Sequence, residues 1–212
     1  MNAPTLAKTE SREAAPMLEP EQAARVGVYS LLARLLVAGP DEDVLARLRA
    51  LDVADTAEGR EEADMARAWA VLKLAAEHAS VETADDEYHA LFIGIGRGEL
   101  VPYGSWYLTG FLMERPLADL REDLRVLGFE RSEEVKEPED HAGFLCEVMA
   151  NLVADGASVQ TQRAFFERHM APWLETFFRD TEQAVSAVFY RAVGCLGASF
   201  VQFERRYLAM DV

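Results

Sequence analysis

The sequence has few cysteines and no long apolar run, and each absence excludes a class of protein. It holds two cysteines, Cys146 and Cys195, in 212 residues and no CxxC pair. We therefore expect buried free thiols in a reducing cytoplasm rather than a disulfide framework. No segment reaches the ~18 consecutive apolar residues of a membrane-spanning helix, and the first 20 residues lack the ~7–15-residue apolar core of a signal peptide. These absences predict a cytoplasmic protein without membrane insertion, whose residues 1–18 form a disordered tail.

Basic residues are also scarce. The chain has 21 lysines and arginines against 37 aspartates and glutamates, which gives a formal net charge of −16. Such a surface repels phosphate backbones, so nucleic acid is not expected as a partner. It attracts basic partners such as arginine-bearing peptides, although net negative charge also simply favours solubility.

Alternating strand patterns are rare, and helical periodicity dominates. Prolines stand where first helical residues are expected, at Pro20, Pro40, Pro116 and Pro138. Thr83 and Asp86 have the spacing of a capping box, and apolar residues from Val185 to Tyr207 recur at steps of three and four. The pattern predicts an all-α bundle of about eight or nine helices. We expect two closely packed helical halves, about 19–128 and 138–212, with a hinge near 129–137.

A glycine-rich stretch, "IGIGRGELVPYGSWY", interrupts the helices at residues 93–107. It matches neither the P-loop nor the dinucleotide-binding pattern, so it indicates a structural turn more than a phosphate site. Tyr103, Trp106 and Tyr107 follow it. These aromatic side chains either line a groove or pack into the core.

The segment "KEPEDHAGFLCEVM", residues 136–149, combines carboxylates, a histidine and apolar residues around Pro138. An enzyme would use Glu137, Asp140 and His141, as metal ligands or as acid and base. However, the H-E-x-x-H zinc pattern and the G-x-S-x-G nucleophile motif are both missing, so neither a metal nor a catalytic residue is predicted.

Recognition of a peptide is the other interpretation of this segment. On a helix opened by Pro138, Asp140 and Glu147 would share a face two turns apart, and acids in the first turn would favour the helix dipole. Glu137 and Asp140 can accept hydrogen bonds from guanidinium groups, while Phe144 offers apolar surface. A target that is basic at one end and apolar along its length, as a signal peptide is, would suit this surface.

The segment also resembles the E-P-x-D-H-x-x-x-x-L-E-x-M signature of the TorD/DmsD/NarJ family of redox-enzyme maturation chaperones, with Cys146 where leucine is usual. Three further segments resemble family elements, namely "YHALFIGIGRGELVPYGSWY", "FFERHMAPWLETFF" and "FYRAVGCLGASFVQFE". The resemblance covers roughly residues 20–208.

The resemblance implies an all-α chaperone without enzymatic turnover or cofactor, although some members bind GTP weakly. It implies as partner the apo form of a molybdopterin-containing catalytic subunit or its twin-arginine signal peptide. It also implies a monomer or a domain-swapped homodimer. Two alternatives stay open, namely an enzyme acting through Glu137, Asp140 and His141, and a permanent assembly subunit of a redox complex. The residues expected to contact the client are Tyr103, Trp106, Tyr107, Glu137, Pro138, Asp140, His141, Phe144 and Glu147.

Overall fold

The computed structural model describes residues 7–8, 18–53, 60–94, 97–130 and 137–210. These residues form ten α-helices, which confirms the all-α prediction with slightly more helices than the expected eight or nine. The helices are α1 Pro20–Val37, α2 Glu42–Arg49, α3 Arg60–His78, α4 Val81–Tyr88, α5 Gly104–Thr109, α6 Arg115–Val126, α7 Ala142–Ala154, α8 Val159–His169, α9 Leu174–Gln183 and α10 Phe189–Ala209. A π-helical turn, His89–Ile93, follows α4. None of the described helices combines the length and apolar character that a membrane span needs.

Helix starts follow local side-chain chemistry more closely than the positions of proline. α1 begins at Pro20, and α6 carries Pro116 in its first turn, as predicted. α2 instead begins at Glu42, because the Asp41 carboxylate accepts a 2.9 Å hydrogen bond from the N–H of Val44 and caps the helix.

Two other predicted starts are wrong. The capping box of α4 pairs Ser80 with Thr83 rather than Thr83 with Asp86: the N–H of Thr83 donates to the Ser80 hydroxyl at 3.1 Å. Val185 lies ahead of α10, which begins at Phe189, and its side chain is 91% exposed. At α4 the cap is Ser80 and not Thr83, because Ser80 stands directly before the first helical residue.

The chain divides into two compact units. One comprises Met1–Val37, Pro102–Trp173 and Leu208–Val212, and the other comprises Ala38–Val101 and Leu174–Tyr207. Each unit joins segments that are distant in sequence, so the units do not follow the predicted halves 19–128 and 138–212.

The predicted tail and hinge lie largely outside the described residues, which exclude 1–6, 9–17 and 131–136. Within these two segments, Ala7–Lys8 (β1) pairs with Phe129–Glu130 (β2) as a two-residue antiparallel ladder. The hinge stays a prediction, whereas the ladder is an ordered element where a disordered tail was expected.

In the first unit, α7 packs against α1 and is buried on nearly all sides. The approach is close at Gly143, where an added Cβ would lie 2.8 Å from a methyl group of Val37, so only glycine fits there. Leu32, Leu36 and Leu145 are among the fully buried side chains. Burying each leucine contributes about 1.5–3 kcal/mol, and this core fixes the residues that precede α7.

The second unit contains the first part of the glycine-rich stretch, up to Val101. Gly94 has φ of +57°, and a Cβ at this position would clash with the carbonyl oxygen of Arg97. The N–H of Gly94 donates to the carbonyl of His89 at 2.7 Å and closes the π-helical turn. Glycine therefore serves the backbone here, although residues 95–96 of the stretch lie outside the described residues.

Both cysteines are free thiols. Cys146 is buried in α7, and burial raises its pKa to about 12, so it is an unreactive core thiol. Cys195 is only half-buried, which differs from the prediction that both are buried.

Candidate functional site

The acid–histidine segment forms a turn ahead of α7 and is not part of that helix. The N–H of His141 donates to the carbonyl of Pro138 at 3.2 Å. His141 is the N-cap of α7: its Nδ1 accepts a 3.1 Å hydrogen bond from the N–H of Gly143, and the helix begins at Ala142. The predicted helix start at Pro138 is therefore wrong, because a histidine side chain does the capping three residues later.

This correction changes what the two acids before His141 do. Neither Glu139 nor Asp140 lies in a helical first turn, and Asp140 does not share a helix face with Glu147. Glu139 instead accepts two hydrogen bonds from the guanidinium of Arg121 on α6, at 2.8 and 3.0 Å. The hydrogen bond to Glu139 is the main reason that the pKa of Arg121 is raised. The pair fixes the turn to α6.

Asp140 fixes the turn to the start of α5. Its side chain is buried, with 3% of the residue exposed, and Oδ2 accepts a 2.7 Å hydrogen bond from the N–H of Ser105. Its carbonyl accepts from the N–H of Gly104 at 2.9 Å. Oδ1 is also buried and has no hydrogen-bond partner among the described residues, so only one of the two carboxylate oxygens is used by the fold.

Tyr103 and His141 face each other across this junction. They form an isolated antiparallel β-bridge, and their rings meet edge to face with centroids 5.1 Å apart. The hydroxyl of Tyr103 donates a short hydrogen bond to the exposed carboxylate of Glu137. The structure thus brings together five of the predicted client-binding residues, namely Tyr103, Glu137, Pro138, Asp140 and His141.

The His141 ring is neutral at pH 7. Burial lowers its pKa to about 4, against the opposing charges of Glu137 and Asp140. Because Nδ1 accepts from Gly143, the ring proton sits on Nε2, and the lone pair is already used. This geometry fits a structural cap better than a general base.

The aromatic residues after the glycine-rich stretch divide between two settings. Tyr107 stacks on Trp173 with ring centroids 5.4 Å apart, and the Trp173 indole N–H donates to the carbonyl of His169 at 2.8 Å. An added Cβ on Gly104 would lie 3.0 Å from the same indole nitrogen. Trp106 is half-buried on α5. Trp173 was absent from the predicted site residues, although the family-like segment "FFERHMAPWLETFF" contains it.

A cavity of about 170 Å³ lies beside Asp140 in this unit. Residues lining it include Leu108, Pro116, Asp119, Asp140, Arg168 and Trp173. The Arg168 charge is paired, since its guanidinium contacts the Asp123 carboxylate at 2.8 Å, and Asp123 also bonds His169 at 2.6 Å. Burial lowers the pKa of His169, which favours its neutral form. The two carboxylates in the cavity wall also have cations nearby, since Asp119 lies 3.8 Å from the Arg115 guanidinium and Asp140 interacts with the charge of Arg121.

Two predicted residues lie apart from this cluster. Phe144 is buried in the core, as is Val148 on the same helix, so these two offer no apolar surface to a partner. Glu147 lines a different cavity, of about 270 Å³, together with Arg34 and Asn151. No group of three or more histidine, cysteine or acidic side chains suited to a metal ion occurs among the described residues.

Comparison with known families agrees with this constellation. The model of the family described as nitrate reductase delta subunit matches residues 58–179, more than half of the chain. The chain belongs to this family. The match confirms the resemblance to TorD/DmsD/NarJ chaperones, and the matched span includes the two segments that meet at Tyr103 and His141.

Curated relatives of the family carry the name chaperone protein TorD. The Vibrio cholerae protein is 27% identical over 143 residues, which cover 62% of this chain and 64% of the relative. The Vibrio atlanticus protein is 26% identical over 145 residues, covering 63% and 67%. The chain thus matches slightly less than two thirds of the length of the Vibrio cholerae relative.

A solved structure from Archaeoglobus fulgidus, described as a redox enzyme maturation protein, has a similar fold. Its TM-score is 0.50 at 17% identity, over 94% of this chain and all of the other. At this identity the likeness concerns the all-α fold, while the family membership rests on the sequence match.

Proposed function

We propose that the protein is a chaperone, not an enzyme, that binds the twin-arginine signal peptide or the apo form of a molybdopterin-containing oxidoreductase subunit. It acts in the cytoplasm and holds this client back from export until the cofactor is inserted. The observation that carries the proposal is the buried Asp140, whose Oδ1 is without a partner among the described residues and which lines a small cavity beside the turn 137–141.

The chemistry of the cavity suits a basic side chain. Oδ2 of Asp140 accepts a hydrogen bond from the N–H of Ser105, and Oδ1 of the same carboxylate can still accept a charge-assisted hydrogen bond from a guanidinium. Cavities for drug-sized ligands are about 300–1,000 Å³, so 170 Å³ suits one side-chain head group better than a cofactor.

Family membership and the names of the relatives support the same function. The relatives are called TorD chaperones, and the proposal gives this chain a role as a chaperone too. Binding that prefers the apo form shifts the client towards that form, which keeps the enzyme open for its cofactor.

The test is calorimetric titration of a synthetic peptide of about 25 residues, with two adjacent arginines ahead of about ten apolar residues. We expect binding that weakens with added salt, because a net charge of −16 attracts the arginines. A peptide with both arginines replaced by glutamine is the matched control. If the protein binds neither peptide, or both equally, signal-peptide recognition is not its function.

A further inference from the structure

The segment between α5 and α6 exposes an unusual amount of apolar side chain. Leu108 is 42% exposed, Phe111 67%, Leu112 48% and Met113 74%. Single exposed apolar residues are normal on any protein surface. Four large ones within six residues are an unusual concentration, which we call the apolar patch, and concentrated exposed apolar surface marks interaction sites.

The backbone of this segment is held in place by local hydrogen bonds. The Thr109 hydroxyl donates to the carbonyl of Ser105 at 2.8 Å and accepts from the N–H of Phe111 at 3.2 Å. Gly110 has φ of +82°, and its N–H donates to the carbonyl of Trp106 at 2.8 Å. The patch is therefore a defined turn and not a frayed helix end.

Met113 has φ of +60°, a backbone conformation that side chains other than glycine rarely adopt. This strained residue is also the most exposed of the four. Retained backbone strain is often found where a chain presents side chains to a ligand.

The patch is continuous with the candidate site. Leu108, at its start, and Pro116, just beyond its end, line the 170 Å³ cavity together with Asp140 and Asp119. A carboxylate-lined cavity thus adjoins an apolar turn. A ligand that fits both has a basic side chain next to an apolar run.

We propose that the turn Leu108–Met113 is the docking surface for the apolar run of the client peptide, with the adjoining cavity taking a basic side chain that precedes the run. This inference rests on the proposed function. It adds four residues to the proposed binding site, namely Leu108, Phe111, Leu112 and Met113. The apolar run gives the larger part of the affinity, because Phe111 and Met113 become buried against it.

The test compares two double variants that remove equal numbers of exposed apolar side chains. Phe111→Ser with Met113→Asn removes the centre of the patch, and asparagine tolerates the left-handed backbone at 113. The control is Val185→Ser with Val188→Ser, since these valines are 91% and 79% exposed elsewhere in the fold. Both double variants should melt at the temperature of the wild type, because they remove surface and not core.

Two synthetic peptides serve as probes, one with an arginine pair ahead of about ten leucines and alanines, the other with serines and asparagines in place of that run. We expect the patch variant to bind the first peptide about tenfold or more weakly than the wild type. The control variant should bind it like the wild type. The second peptide should bind wild type and patch variant with the same, lower affinity.

The outcomes separate this inference from the function on which it rests. If the wild type binds neither peptide, the proposed function fails and the inference fails with it. If the wild type binds the first peptide and the patch variant binds it equally well, only the inference fails. If sedimentation shows a wild-type dimer that the patch variant abolishes while peptide affinity stays the same, the turn joins two copies of the chain and the inference is likewise overturned.

Discussion

The N-cap histidine of α7 should make the stability of the protein depend on pH in a defined window. In the folded protein the pKa of His141 is lowered from its ordinary 6.5 to about 4 by burial. Between pH 6.5 and 4 the unfolded chain binds a proton that the folded chain does not. Stability is therefore lost as the pH falls through this window, and the loss levels off below about pH 4.

The size of the effect follows from the two pKa values. Each unit of pKa difference is worth about 1.4 kcal/mol, so this one group should lower the free energy of unfolding by about 2 kcal/mol between pH 7 and pH 5. The full loss, reached near pH 4, is about 3 kcal/mol. The lowered pKa of His169 acts in the same direction, so the total pH dependence alone does not identify His141.

A His141→Asn variant isolates the contribution of His141. Asparagine is a favourable N-cap and can accept the hydrogen bond of the Gly143 N–H, but it does not titrate. Urea denaturation at pH 7, 6 and 5 gives the free energy of unfolding of both proteins. We expect the wild type to lose about 2 kcal/mol more than the variant between pH 7 and pH 5. Parallel losses in the two proteins would refute the reasoning, because His141 would then titrate alike in the folded and unfolded states.

Substitutions at Asp140, Gly94 and Glu87, the first two with a comparison variant, have expected outcomes that urea denaturation can check. Asp140→Ala should cost about 1–3 kcal/mol, because it leaves the buried N–H of Ser105 unpaired, whereas Asp140→Asn keeps an acceptor and should cost less; equal costs would contradict the role of Oδ2. Gly94→Ala should destabilise by about 1 kcal/mol or more, while Gly27→Ala in the middle of α1, with open space around it, should stabilise by about 0.5–1 kcal/mol; a reversed order would contradict the backbone argument. The Glu87 carboxylate accepts three N–H groups at the start of α10, so Glu87→Ala should cost about 1–2 kcal/mol and speed amide exchange there; unchanged exchange would contradict this cap.

The helical class could be predicted because its signals are local. Proline, acid and apolar residues within one or two turns of each other decide where α1 and α6 begin and which stripe they bury. The start of α7 was mispredicted for the same reason. Pro138 gives a local helix-start signal, whereas the actual cap, His141, is not among the usual capping residues and depends on its own burial.

Burial on α7 could not be predicted from its apolar pattern. Phe144 and Leu145 are apolar in either interpretation, as core or as docking surface. The choice depends on α1, whose approach at Gly143 covers this side of the helix. The exposed turn at 108–113 was missed for the converse reason, because a short apolar stretch between helices gives no period from which exposure can be inferred.

The contacts of the candidate site are non-local, and this explains why the predicted roles of its residues changed. Asp140 and Ser105 are 35 positions apart, and each appears in its own family segment without any sign that they bond. The hydrogen bond from the Ser105 N–H to Oδ2 holds the Asp140 carboxylate against the start of α5, and this also fixes the direction of Oδ1. Asp140 is thus an internal support, and the binding role proposed for Oδ1 is compatible with that support because the two roles use different oxygens. The hydrogen bond of Tyr103 to Glu137 at the edge of the turn likewise orients a carboxylate in advance, which would reduce the entropy lost if the proposed client bound there.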